Sequence, residues 1–174
     1  MSSLNQRPDR TEAAEYYFTY IDKVPLGDVL VSLAAQVDEV NRRLGGVAEE
    51  RTLARYAPGK WSVREVMNHI NDTERLFVFR AFWFARGFDS PLPSFDQNAA
   101  ILAAEGDRIP MAAYLAEFRD LRASTIALFA ALPAEAWDRR GVASDKPFSV
   151  RALAYLAAGH VAHHLEILDA RYGI

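Results

Sequence analysis

The stretch Ser149-Val150-Arg151-Ala152-Leu153-Ala154-Tyr155-Leu156-Ala157-Ala158-Gly159-His160-Val161-Ala162-His163-His164-Leu165-Glu166-Ile167-Leu168 decides the fold. At about 100° per residue around a helix axis, Val150, Leu153, Leu156, Ala157, Val161, Ile167 and Leu168 fall on one face. Ser149 is placed to cap it, and the pattern predicts a helix from Val150 to about Tyr172. His160 and His164, one turn apart, lie in the middle of the apolar face, and His163 lies on its edge, about 60° from His160.

Working outward, three more segments carry the same periodicity. Leu26, Leu30, Leu33, Val37, Val40 and Leu44 predict a helix over 26–44, stopped by Gly45-Gly46. Ser62-Val63-Arg64-Glu65 reads as a capping box that opens a helix ending near Gly87. Pro110 suits a first helical turn, and Met111, Leu115, Phe118, Thr125, Leu128 and Leu132 carry that helix to Pro133. No segment alternates with period two over a strand's length. The expectation is therefore an all-α four-helix bundle over residues 26–174, with little or no sheet. Residues 1–25 form an N-terminal segment packing on it, with room for a short helix over Thr11–Tyr20. The 88–109 connection is long for a bundle and lid-like, and long connections leave the topology open. Trp61-Ser62-Val63-Arg64 and Phe148-Ser149-Val150-Arg151 open two helices alike. The repeat is either a good helix start used twice or a duplicated helix pair.

The 174 residues suffice for one domain, and 51% hydrophobic with 25% charged residues is ordinary for a soluble globular chain. A net charge of −3 argues against nucleic acid, whose binding needs clustered Lys and Arg. Leu76–Ala85, the most apolar run, contains Arg80 and is far below the ~20 residues of a membrane helix. There is no cysteine, and Met1–Arg10 is polar without an apolar leader core. Both features fit a cytoplasmic protein.

His69 stands at the border of the stripe made by Val63, Val66, Ile70, Phe77 and Phe84. Asp72, Thr73, Leu76 and Arg80 share its face. Histidines on an apolar face need partners for their ring nitrogens, either hydrogen bonds or a metal ion. An i, i+4 pair lets two imidazoles converge on one ion, and His69 is the inward-facing third candidate. Asp72 is placed either to orient an imidazole from behind or to pair with a neighbouring cation. Arg80 is placed either to hold an anionic substrate group or to form an ordinary salt bridge. Phe79, Phe82 and Trp83 point away from the stripe, toward the N-terminal segment or toward a second subunit.

Four stretches, taken in order, resemble the DinB/YfiT-like superfamily of metalloenzymes. They are Tyr56–Val66 with His69 and Asp72-Thr73-Glu74-Arg75, then Pro91–Asn98, Leu132–Trp137, and Gly159–His164. The likeness runs from about Leu26 to the C-terminus. It implies a four-helix bundle holding a zinc- or nickel-type ion on one histidine of the second helix and two of the last, which by position are His69, His160 and His164. His163 matches an extra histidine not counted as a ligand. The resemblance further implies transferases that use low-molecular-weight thiols, a thiol-dependent isomerase and hydrolase-like relatives, with homodimers frequent. The loop departs from the pattern, with Gln97 where relatives often carry Glu and Ala99-Ala100 where an aromatic is expected.

Three neutral histidines with a vacant fourth position describe a catalytic site rather than a structural one. The expected function is a metal-dependent transferase or hydrolase acting on a small molecule, any thiol arriving as cosubstrate because the chain has none. No His-Glu-x-x-His supplies a general base. The rival is a non-catalytic, metal-stabilised bundle that binds a partner or senses stress, closed by a fourth protein ligand and working through Phe79, Phe82 and Trp83.

Overall fold

A computed structural model of the chain describes residues 6–174; the first five residues of the expected N-terminal segment lie outside them. Seven α-helices and one β-hairpin make up the described residues: α1 (Phe18–Ile21), α2 (Val29–Leu44), α3 (Glu49–Thr52), α4 (Val63–Ala85), α5 (Gln97–Ala104), α6 (Met111–Ala130) and α7 (Val150–Ile167), with β1 (Arg140–Ala143) and β2 (Lys146–Ser149). The four long helices are the predicted ones. Among the described residues no helix is long and apolar enough to cross a membrane.

Their ends follow local chemistry. Ser62 accepts from the Glu65 amide at 3.1 Å while the Glu65 carboxylate accepts from the Ser62 amide at 2.8 Å, closing the capping box of α4. Ser149 caps α7 through the Ala152 amide at 2.9 Å. Asp28 caps α2 through the Leu30 amide at 2.8 Å. That cap starts α2 three residues later than the stripe predicts and leaves Leu26 in the preceding turn, 87% exposed. Each of the two Ser-Val-Arg openings performs the same task. The serine hydroxyl donates to a distant carboxylate, Asp107 or Glu12, and the arginine ties the helix start to an earlier segment.

The helices pack in the cyclic order α2–α6–α4–α7, so that α2 and α4, and likewise α6 and α7, lie across diagonals. The long connections that left the topology open are what permit this crossed arrangement. α4 and α7 run antiparallel: His69, early in α4, meets the late residues His160 and His164 of α7. Phe84, at the other end, lies under Gly141 near the start of α7, so close that a Cβ on Gly141 would overlap its ring.

Two apolar clusters fill the bundle. One contains Phe18, Leu33, Phe77, Phe84, Phe129, Trp137 and Leu153; the other contains Val40, Val66, Ile70, Tyr114, Phe118, Val161 and Leu165. Between them is a polar waist. The Glu74 carboxylate accepts from Arg122 at 2.9 Å and from the Thr125 hydroxyl at 2.7 Å, and Arg122 also donates to Gln36 Oε1 at 2.9 Å. α7 joins the two clusters and is buried all round from Val150 to Val161, rather than along one stripe. The side turned away from the bundle is covered by α1, whose Tyr20 carbonyl sits only 2.2 Å from where a Cβ of Gly159 would be.

Two segments depart from expectation. The 88–109 connection contains α5, capped by Asp96 through the amides of Asn98 and Ala99. The sequence hides it because Ile101 is its single buried residue, so there is no stripe to see. The N-terminal helix is shorter than Thr11–Tyr20, a 3₁₀ turn at Glu15–Tyr17 leading into α1. The hairpin strands have four residues each, too short for a visible alternation, and turn through Ser144 and Asp145, both at positive φ. Phe79 and Phe82 remain 48% and 38% exposed, uncovered by the described residues of the N-terminal segment, whereas Trp83 packs on the core and stacks on Phe88 at 4.4 Å.

Candidate metal centre

His69, His160 and His164 form one cluster, a ligating nitrogen of each lying within 4.8 Å of the other two. α4 delivers His69 from its second turn, and α7 delivers the other two from successive turns. His160 Nε2 is 3.0 Å from His69 Nε2 and 3.1 Å from His164 Nε2. A ring nitrogen offers one hydrogen or one lone pair in one direction, so it makes one well-aligned hydrogen bond, not two. A cation facing three lone pairs removes that conflict. Separations of 3.0 and 3.1 Å are short enough for the three nitrogens to share one ion. The donor set fits a metal ion.

Burial holds the three rings neutral. It pushes His69 down to about 4, with the His163 charge adding to the effect, and His164 to about 3, with His69 and His163 adding. His160, the deepest, lies well below the ordinary imidazole range through burial first and then the charges of His164 and His69. All three therefore present lone pairs at neutral pH without first losing a proton.

A pH dependence follows for the metal-free protein. In the unfolded chain the imidazoles take protons near 6.5, while in the folded chain His69 and His164 resist until about 4 and 3. Over that interval the unfolded state binds more protons, so stability falls as pH drops from about 6.5 toward 4. The loss should reach on the order of 2 kcal/mol per histidine by a pH of about 4.5. Urea unfolding of chelator-treated protein at several pH values reads it. An equal pH slope in wild type and His69→Gln would refute it.

The surroundings divide the other candidates. Asp72 accepts from Asn68 Nδ2 at 2.9 Å and faces Arg75 at 3.6 Å; the group beside His69 Nδ1 is instead the Thr73 hydroxyl, at 3.4 Å. Thr73 is four residues from His69, a spacing visible in the sequence. His163 stays outside the cluster, its ring edge-on to Tyr20 at 5.0 Å. Arg80 does reach the site: with His69, His160, Tyr17, Phe77 and Phe95 it lines a cavity of about 160 Å³. A second cavity, of about 280 Å³, opens on His164 between Tyr56, Trp61, Asn98 and Tyr172. Gln97 lines the first cavity and Asn98 the second, so the start of α5 stands between them. Tyr17 and Tyr20, walls of the smaller cavity, had no signal in the sequence because only folding carries the N-terminal segment to α7.

No curated protein matches the chain by sequence. Among solved structures, YfiT from Bacillus subtilis, a probable metal-dependent hydrolase with an unusual four-helix bundle topology, superposes with a TM-score of 0.71 at 18% identity. That match covers 97% of this chain and 94% of YfiT. A mycothiol-dependent maleylpyruvate isomerase superposes with a TM-score of 0.67 at 15% identity, over 83% of this chain and 61% of the longer isomerase. At such identities the likeness is one of fold. The family model of the DinB superfamily matches residues 32–168, well over half of the sequence and all three clustered histidines, and the chain therefore belongs to the DinB superfamily.

Proposed function

We propose that the protein is a metal-dependent enzyme acting on a small molecule, either transferring it to or from a low-molecular-weight thiol or hydrolysing it. The observation that carries this reading is the doubled contact at His160 Nε2, 3.0 and 3.1 Å from two other ring nitrogens. When bound, a zinc- or nickel-type ion supplies Lewis acidity, lowering the pKa of a bound water or thiol and polarising an electrophile. The chain's own contribution is to hold three neutral imidazoles on two rigid helices and to leave cavities of about 160 and 280 Å³ beside them. No acidic side chain among the described residues joins the cluster, which leaves coordination room for substrate. Two separate approaches suit a reaction of two components, a thiol and an electrophile or a water and an ester. The solved structures support both branches, one being a probable metal-dependent hydrolase and the other a mycothiol-dependent isomerase.

The alternative, a metal-stabilised bundle that docks a partner, draws on the exposed rings of Phe79 and Phe82. It gives the two cavities no use. The test is metal content of the purified protein followed by turnover of a panel of thiols with electrophiles, and of esters and amides with water. About one ion per chain together with metal-dependent turnover is expected. A chain that retains no ion, or one that carries an ion and turns over nothing in the panel, would count against the enzyme.

A further inference from the structure

Four arginines are buried, and three of them face a carboxylate. Arg122 pairs with Glu74 at 2.9 Å, Arg151 with Glu12 at 2.9 Å, and Arg64 with Glu49 at 3.1 Å. Arg80 is the exception. It is 3% exposed, yet its hydrogen bonds among the described residues go to neutral oxygens, the Pro93 carbonyl at 3.1 Å and the Ser144 hydroxyl at 2.8 Å. Its Nε is buried with no partner among the described residues, as are those of Arg122 and Arg151, so the contrast lies in the counter-charge alone. A guanidinium withdrawn from water without a counter-charge is costly, and an anion beside it would offset that cost.

The surroundings hold this cation in place. Ser144 sits in the hairpin turn at φ 52, a backbone conformation uncommon for a residue with a side chain, and its hydroxyl accepts from Arg80. Arg80 lines the cavity of about 160 Å³ that also reaches His69 and His160, and Ser144, which holds its guanidinium, lines the same cavity. Tyr17, Phe77 and Phe95 give that cavity aromatic walls. A cavity near 150 Å³ accommodates a benzene-sized group. His69 and Arg80 are eleven residues apart on α4, about 16 Å along the axis, and helical side chains lean toward the N-terminus, so Arg80 reaches back toward the histidines.

We propose that Arg80 is the carboxylate-binding residue of a substrate subsite, and that the cavity takes a small planar carboxylate of about benzoate size with its anionic end on the guanidinium. A forked donor such as arginine grips a carboxylate through two parallel hydrogen bonds. The opposite end of the ligand then points to the histidine cluster. That second half rests on the proposed function; the carboxylate contact does not.

The test is a calorimetric or NMR titration of the full chain with benzoate, and with benzamide as its neutral isostere. It is run on as-purified and on chelator-treated protein, on Arg80→Met and on Arg80→Lys. Saturable benzoate binding in the millimolar range is expected, with benzamide at least about tenfold weaker. Arg80→Met should lose at least about tenfold in benzoate affinity while its melting temperature holds or rises, because an unpaired buried charge is removed. Arg80→Lys should fall between, keeping the charge without the fork. Should Arg80→Met fail to fold, the benzoate-to-benzamide ratio in wild type and the Arg80→Lys affinity carry the decision. Benzamide binding as well as benzoate, no saturable benzoate binding, or undiminished binding in Arg80→Met would overturn the proposal. Chelator-treated protein should still saturate with benzoate, so that absence of a metal and absence of the carboxylate subsite give different results.

Discussion

A His160→Ala variant is expected to lose tight metal binding, by more than about a hundredfold, while His163→Ala changes it by only a few fold. Loss of a group that merely orients a metal ligand already costs about 10–100-fold, so loss of a ligand should cost more. His160 is the hub of the cluster, since its Nε2 makes both short contacts and the ring is buried between its partners. His163 shares the helix and the residue type but turns its ring toward Tyr20. The pair of variants thus separates the geometry of the cluster from the histidine content of α7. Competition with a chromophoric chelator gives both affinities on one scale. Equal losses in the two variants, or none in either, would sink the three-histidine site and leave the enzymatic reading without its main support.

Glu74→Ala should destabilise the fold by about 3–5 kcal/mol, the range for breaking a buried ion pair by removing one partner. Arg122 would be left fully buried and charged with only neutral oxygens beside it, Gln36 Oε1 and the Leu33 and Ala157 carbonyls, its guanidinium 4.9 Å over the Phe118 ring. For a domain of this size the melting temperature should drop on the order of 10 °C. The double replacement Glu74→Leu with Arg122→Met should recover most of that loss, because an apolar pair of similar volume owes no desolvation. The pair also seats the histidine-bearing end of α7. Arg122 lies 3.4 Å from the Ala157 carbonyl, and its partner Gln36 donates to the Ala158 carbonyl at 2.8 Å, three and two residues before His160. Urea unfolding of the singles and the double completes a thermodynamic cycle; a single-mutant cost below about 1 kcal/mol would show that the waist contributes little.

How far the sequence could be read depended on the range of each interaction. The capping box at Ser62 and Glu65 closes over three residues, and so does the Ser149 cap. Apolar stripes report which face of a helix is buried, so the four long helices could be placed from spacing alone. The His160–His164 pair is equally local, since one helical turn fixes their convergence. α5 escaped because one buried residue makes no stripe, and the hairpin because four-residue strands show no period.

Burial of polar residues was the less readable part. Arg122 and Glu74 are charged, and each is sheltered only because the other arrives from a different helix. The unpaired state of Arg80 is equally invisible along the chain, being a statement about which carboxylates did not come near. Helix identity, helix ends and the two-histidine turn were set by contacts within about four residues, and these the sequence determined. The crossed order α2–α6–α4–α7, the seating of α1 on Gly159 and the approach of His69 to His160, 91 residues away, were decided by tertiary structure. Such contacts depend on the path of long connections and on close packing between distant faces, and neither leaves a period in the sequence.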